Sequence, residues 1–242
     1  MKIRLDQLLV LKGIAESREK AKVLIMAGNV IVDGKVLDKP GKLVDINSDI
    51  KLKEGLKYVS RGGLKLETAL NCFKLNVENF ICLDIGSSTG GFVDCLLKFG
   101  AKKVYAVDVG KNQLHEKLRK DERVIYYEEK DARDLTENEI LEKVDLITID
   151  VSFISLTKII PSVIKFLKEN GYLLVLVKPQ FELERKYVKN GVVRDENLRM
   201  LAVEKIKNFL KNLNFEIIGV CKSYPPGPKG NEEFFILSKM SS

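Results

Sequence analysis

The sequence predicts an α/β protein: a small N-terminal α+β unit followed by a larger, doubly wound domain built on a mostly parallel sheet. Three observations carry this. From residue 80 onward, short and near-continuously apolar runs alternate with helical segments, as strands covered on both faces do. Before residue 55 the pattern differs, with helical spacing first and short alternating stretches around turn residues afterwards. The length of 242 residues exceeds a typical domain of ~100–200, and 45% apolar residues suffice for a proper core.

Taken in order, Ile3–Lys12 places Ile3, Leu5, Leu8, Leu9 and Leu11 on one stripe of a first helix. The stretch SREKAKVLIMAG reads as a second, with Ser17 as N-cap and Gly28 as its stop. VIVDGKVL is a hairpin around Asp-Gly, and DIKLK alternates as a further strand. This unit closes near Glu54-Gly55, which sets a first domain over residues 1–59, with its linker at 55–60, and a second over 60–242. SRGGLKLETALNCF then gives a helix from Leu64. The strands are ICLDIG, KVYAVDV, VIYYE, DLITIDV and YLLVLVKP, with FEIIGVCK and FFILSK close enough for an antiparallel pair. FVDCLLKFG, KNQLHEKLRK and LTKIIPSVIKFLKEN are the helical segments between them.

Composition removes several classes of function. The longest apolar run, Tyr172–Val177, falls far short of the ~18 residues of a membrane span. The N-terminus has charges within it and no small-residue cleavage site, so a cytoplasmic protein is expected. Cys72, Cys82, Cys95 and Cys221 form no CxxC pair, and His115 is the one histidine. No metal site is expected, and the thiols read as buried and free. The net charge is +7, and Met1–Ser60 holds 12 Lys+Arg against 8 Asp+Glu. More than half of the excess lies in a quarter of the chain, which points to a polyanion met by the N-terminal unit.

LDIGSSTGGF, Leu83–Phe92, joins a strand to a helix, where open α/β sheets bind ligands. Its glycines are spaced Gly86, Gly90, Gly91, so Ser88 stands where a dinucleotide fingerprint needs glycine, and no P-loop GK[ST] follows. Asp108 ends the next strand, 22 residues beyond Gly86, and suits ribose hydroxyls. Asp131, after the third strand, suits an adenine amino group. A nucleoside without pyrophosphate fits this set better than NAD does, and S-adenosylmethionine is such a molecule, with a sulfonium that favours nearby acids. Two further strands end in polar residues, Asp150 in LITIDVSF and Lys178 in LVLVKPQF. Base-amino methylation would call for Asn/Asp-Pro-Pro-aromatic at that edge, and carbon methylation for a cysteine there. Two lysines and two acids instead suit a hydroxyl acceptor, which needs a base.

SRGGLKL, DIGSSTGGF, Asp108, DVSFISL, LVKPQFE, GVVRD and GPKGNEEFF together resemble the TlyA family over nearly the whole chain. Its members are ribosomal-RNA ribose methyltransferases often called haemolysins. The resemblance implies a Rossmann-like, FtsJ-type S-adenosylmethionine-dependent methyltransferase domain behind a small RNA-binding unit like that of ribosomal protein S-four. It carries a Lys-Asp-Lys-Glu tetrad onto Lys65, Asp150, Lys178 and Glu233, with Glu232 the alternative one residue earlier. It also implies cofactor contacts at Gly86, Ser87, Thr89, Gly91, Asp108, Asp131 and Phe153. The implied substrate is cytidine of large-subunit ribosomal RNA, with the small subunit a further candidate. Lys178 is expected to act as base, its pKa lowered by burial and a second ammonium. Arg4, Arg18 and Lys22, with Arg61 and Arg194 in the second domain, are expected to meet RNA phosphate. A monomer is expected. The competing readings are an NAD(P) dehydrogenase, disfavoured by the glycine spacing, and a non-catalytic RNA-binding or haemolysin-type protein, disfavoured by the intact tetrad.

Overall fold

The computed structural model describes residues 1–52 and 57–241. The predicted end of the first unit at Glu54-Gly55, and part of its linker, lie outside the described residues. The N-terminal unit runs β1 (Lys2–Arg4), α1 (Leu5–Leu11), α2 (Arg18–Met26), β2 (Val30–Val32), β3 (Lys35–Val36), β4 (Leu43–Asp45) and β5 (Ile50–Leu52). Leu5, Leu8 and Leu9 of α1 meet Ala21 and Ile25 of α2 over Val30, Val32 and Val44. Ser17 Oγ accepts from the Lys20 N–H at 3.2 Å and caps α2. Such a cap is worth ~1 kcal/mol. The expected first helix loses its start. Ile3 pairs with Val44 as a strand, so the helix begins at Leu5, and Leu11 is exposed at its far end.

The second domain runs α3 (Arg61–Phe73), β6 (Ile81–Ile85), α4 (Gly91–Lys98), β7 (Lys103–Val107), α5 (Glu116–Arg119), β8 (Val124–Tyr127), β9 (Val144–Ile149), α6 (Ile160–Val163), β10 (Leu167–Val177), α7 (Pro179–Glu182), α8 (Glu196–Asn212), β11 (Phe215–Lys222) and β12 (Phe234–Met240). Seven strands lie in the order β11-β12-β10-β9-β6-β7-β8. The five from β10 to β8 are parallel, and β12 is antiparallel to both its neighbours. The chain builds outward from β6 to β8, then returns to the other side of β6 with β9. Order therefore reverses between β6 and β9, and a crevice opens at their carboxyl ends. Apolar side chains cover both faces. Leu83, Ile85, Ile147, Val175 and Ile206 pack one layer, and Leu66, Leu70, Val93, Leu96 and Phe235 the other.

Three helical expectations are corrected. The segment from Leu156 to Asn170 is not one helix. Pro161 sits in the first turn of the four-residue α6, and the chain enters β10 at Leu167, with a register slip before Tyr172. The predicted KNQLHEKLRK helix shortens to Glu116–Arg119. Conversely, α8 was not foreseen in the polar connection after β10. Asp195 Oδ1 caps it by accepting from the Leu198 N–H at 3.2 Å, and Ala202, Val203, Ile206 and Leu210 form its buried stripe. Cys72 is exposed, contrary to the expectation of buried thiols, whereas Cys82, Cys95 and Cys221 are buried. Among the described residues no helix is long and apolar enough to cross a membrane.

Candidate active site

A cavity of about 280 Å³ opens at the β6/β9 crevice, lined by Gly86, Ser87, Thr89 and Gly91 with Lys65, Asp150, Ser152 and Lys178. Close helix packing brings Lys65 there. A Cβ on Gly91 would fall 2.2 Å from Ser60 Oγ and 2.7 Å from the Gly63 nitrogen, so only glycine lets α4 start against α3. The two Gly-Gly pairs of the sequence thus pack on each other. They place Lys65, in the second turn of α3, beside the loop.

The tetrad residues form two ion pairs. Lys65 Nζ donates to Glu233 Oε2 at 2.6 Å, the acid fully buried and the amine nearly so. Lys178 Nζ lies 2.5 Å from Asp150 Oδ1 and donates to Ser152 Oγ at 3.0 Å. Glu233 meets Lys65, while the neighbouring Glu232 turns away to Arg199 and Lys222 at 2.8 and 2.9 Å. Gly227 makes room for this acid, since a Cβ there would lie 2.0 Å from Glu233 Oε1.

The charge balance corrects one expectation. Burial pushes the Lys178 amine down, but Asp150 and then Glu233 pull it up by more, so it sits above an ordinary lysine. Lys65 is already matched by Glu233 and leaves no excess cation to expel a proton from Lys178. Below the loop, Asp84 is fully buried, and its Oδ1 accepts from Thr148 Oγ1 at 2.6 Å. Burial pushes its carboxyl up to about 7, against the Thr148 bond, with Asp150 and Asp108 adding their repulsion.

The fit to S-adenosylmethionine can be tested on these residues. A Cβ on Gly86 would lie 2.1 Å from the Asp150 carbonyl oxygen, so the loop floor accommodates no side chain. Asp84 Oδ2 and Glu233 Oε1 are buried without hydrogen-bond partners. A bare carboxyl oxygen of Asp84 beneath the loop, and a wall that includes Ser87, Thr89 and Asp150, suit a polar cationic ligand, so the residues fit.

Of the other expected cofactor residues, Asp108 is not on the cavity wall but braces the loop behind it. Its oxygens accept from the Ser88 N–H at 2.8 Å and the Gly110 N–H at 2.7 Å, and each keeps a further lone pair. Asp131 is not brought to the cavity wall. It caps the turn that follows and is held by Arg133 at 2.6 Å. Phe153 is 90% exposed and rests on Phe181, with centroids 5.0 Å apart.

The expected RNA residues divide into three places. Arg4 and Arg18 flank the buried Asp6, each 3.0 Å from it, and Lys22 on α2 has no charged partner among the described residues. Arg61 lines the cavity, packs against the Gly28 backbone and reaches Asp38 Oδ2 at 3.5 Å. Arg194 is exposed in a groove with Lys186, Tyr187 and Lys189. Sequence reasoning missed Asp84, Ser152 and Met26. Asp84 had a signal, a lone acid inside an apolar strand. Met26 and Ala27, at the end of α2, line the same cavity from the N-terminal unit, which no local pattern announces.

The class follows from the match to family models: an FtsJ-like methyltransferase over residues 58–240, with an S4 domain over residues 3–50. Hemolysin A of Brachyspira hyodysenteriae is 46% identical over 235 residues, covering 96% of this chain and 98% of its own length. The 16S/23S rRNA (cytidine-2'-O)-methyltransferase TlyA of Mycobacterium tuberculosis is 41% identical over 236 residues, 96% of this chain and 88% of that one. A solved structure described as a hemolysin from Streptococcus thermophilus superposes with a TM-score of 0.79 at 44% identity, over 100% of this chain and 89% of that one. The chain belongs to the TlyA family.

Proposed function

We propose that this protein methylates the 2′-hydroxyl of a cytidine in ribosomal RNA of the large subunit, with the small subunit a second target, using S-adenosylmethionine. The observation that carries the reading is the pair of lysine–carboxylate contacts at the crevice beside the glycine loop. The name of the mycobacterial relative, and the S4 domain in front of the catalytic fold, agree with it. Residues 1–59 serve as the RNA-binding part and 60–242 as the catalytic part, in a monomer of the cytoplasm.

In this reading Gly86, Ser87, Thr89 and Gly91 hold the cofactor with Asp108 behind the loop, while Asp131, once released from Arg133, and the exposed Phe153 add contacts from outside the cavity wall. The cofactor supplies an electrophilic methyl on a sulfonium centre. Lys178 takes the hydroxyl proton at Nζ, and Asp150 and Ser152 orient that amine. The Lys65–Glu233 pair fixes the ribose side of the cavity. With its pKa held above that of an ordinary lysine by Asp150 and Glu233, the free-amine form of Lys178 is scarce near neutral pH. Proximity must then supply much of the acceleration. Arg4, Arg18, Lys22, Arg61 and Arg194 meet phosphate.

The test is to incubate pure protein with ribosomal subunits and methyl-labelled cofactor, then hydrolyse the RNA in alkali. Label in alkali-resistant dinucleotides is expected, because a methylated 2′-oxygen cannot attack the neighbouring phosphodiester. Label released entirely as mononucleotides would place the methyl on a base and overturn the reading.

A further inference from the structure

Cys72 sits on the exposed side of α3, and Cys221 is buried on β11. Two contacts bracket them. Thr68 Oγ1, one helical turn before Cys72, donates to the Tyr224 carbonyl at 3.2 Å. At the other end, a Cβ on Gly219 would lie 3.1 Å from the Phe73 ring. Gly219 and Cys221 share a strand face, and Cys72 follows Thr68 by one turn of α3, so α3 runs along β11 and brings Cys72 beside Cys221. Cys82 on β6 and Cys95 on α4 are fully buried in the same core layer as Cys221.

We propose that Cys72 and Cys221 are a dithiol that a small-molecule disulfide converts into an intramolecular bond between α3 and β11. The Cys72 thiolate attacks one sulfur of the external disulfide and expels the other as thiolate. Cys221 then gives up its proton and attacks the Cys72 sulfur of the mixed disulfide, releasing the second thiol. Two protein thiols are oxidised and one external disulfide is reduced to two thiols. Exposure assigns the first attack to Cys72. Burial, and next the neighbouring Cys72, push the Cys221 thiol up to about 12, so it waits as the resolving group. The bond would tie the helix that carries Lys65 to the strand that leads into the turn before Glu233.

The proposal stands apart from the methyltransferase reading and is tested without an activity assay. Reduced full-length protein is treated with excess oxidised glutathione, free thiols are blocked with N-ethylmaleimide, and peptides are mapped without reductant. A Cys72–Cys221 linked peptide is expected, with titratable thiols falling from four to two and returning on reduction. Cys221→Ser should instead arrest the reaction at a stable glutathione adduct on Cys72. If wild-type protein also stops at that adduct, links only between molecules, or keeps all its thiols, the proposal is overturned.

Discussion

Lys178 and Asp84 show how strongly single residues here depend on the charges around them. If Lys178 is the base, the free-amine fraction limits the reaction, and single-turnover methylation should rise about tenfold per pH unit from pH 7 to 9. A flat profile would take the amine out of that role. Lys178→Ala should abolish transfer while calorimetry finds cofactor affinity within a few-fold of wild type. Asp84 behaves in the opposite sense to a paired carboxylate. Its folded pKa is raised to about 7, so the unfolded chain loses the proton first, near pH 4, and stability falls as pH rises between these values. Asp84→Asn, which mimics the protonated acid, should therefore raise the melting temperature more at pH 8 than at pH 5 in paired thermal melts.

Elements matter where two of them meet at the cavity. The turn before β12 holds Gly227 against Glu233, so Gly227→Ala should drive the acid off Lys65. A loss of methylation of at least tenfold is expected, with a stability cost of about 1–3 kcal/mol read from urea unfolding. The end of α2 forms part of the same wall through Met26 and Ala27. A nucleotide entering the catalytic cavity passes this wall, so Met26→Ala should lower kcat/KM for RNA several-fold and leave cofactor affinity unchanged. Equal kcat/KM for the two proteins would show that α2 only supports the fold. The strands were legible because apolar runs bounded by turns allow little else. Helix α8 was not, because its stripe sits within a highly charged segment and reads as solvated surface until β10 and β11 give it a sheet to cover. The Leu156–Asn170 stretch failed in the other direction: its apolar spacing is helical, but Pro161 and the long strand β10 divide it between short turns and sheet.

For the molecule as a whole, two arginines of the basic N-terminal unit converge on one buried acid. Hydrogen bonds from Arg4, against the cost of burial and with help from Arg18, hold Asp6 down at about 2. Its folded pKa is depressed, so the stabilisation is complete above the unfolded value near 4 and is lost as pH falls toward 2. Asp6→Asn should remove about 2 kcal/mol at pH 7 and little at pH 2, as chemical denaturation at the two pH values would show. Lys22, free of such a partner, is the cleaner probe of RNA contact. Lys22→Glu should weaken binding and flatten the dependence of log affinity on log salt. Lys65, Asp150, Lys178 and Glu233 were each singled out from the sequence, and the fold brings them together as two ion pairs. What the sequence withheld was how the two units meet, since the contacts of Arg61 with Gly28 and Asp38 join segments whose spacing carries no period.

Lys65 and Glu233 are 168 residues apart and touch only when the last strand has joined the sheet. A nicked or half-finished chain can therefore display the glycine loop, Asp150 and Lys178 yet lack the acid that steadies Lys65. Stray fragments of this protein would be inert, and wrongly marked transcripts would not accumulate from its turnover.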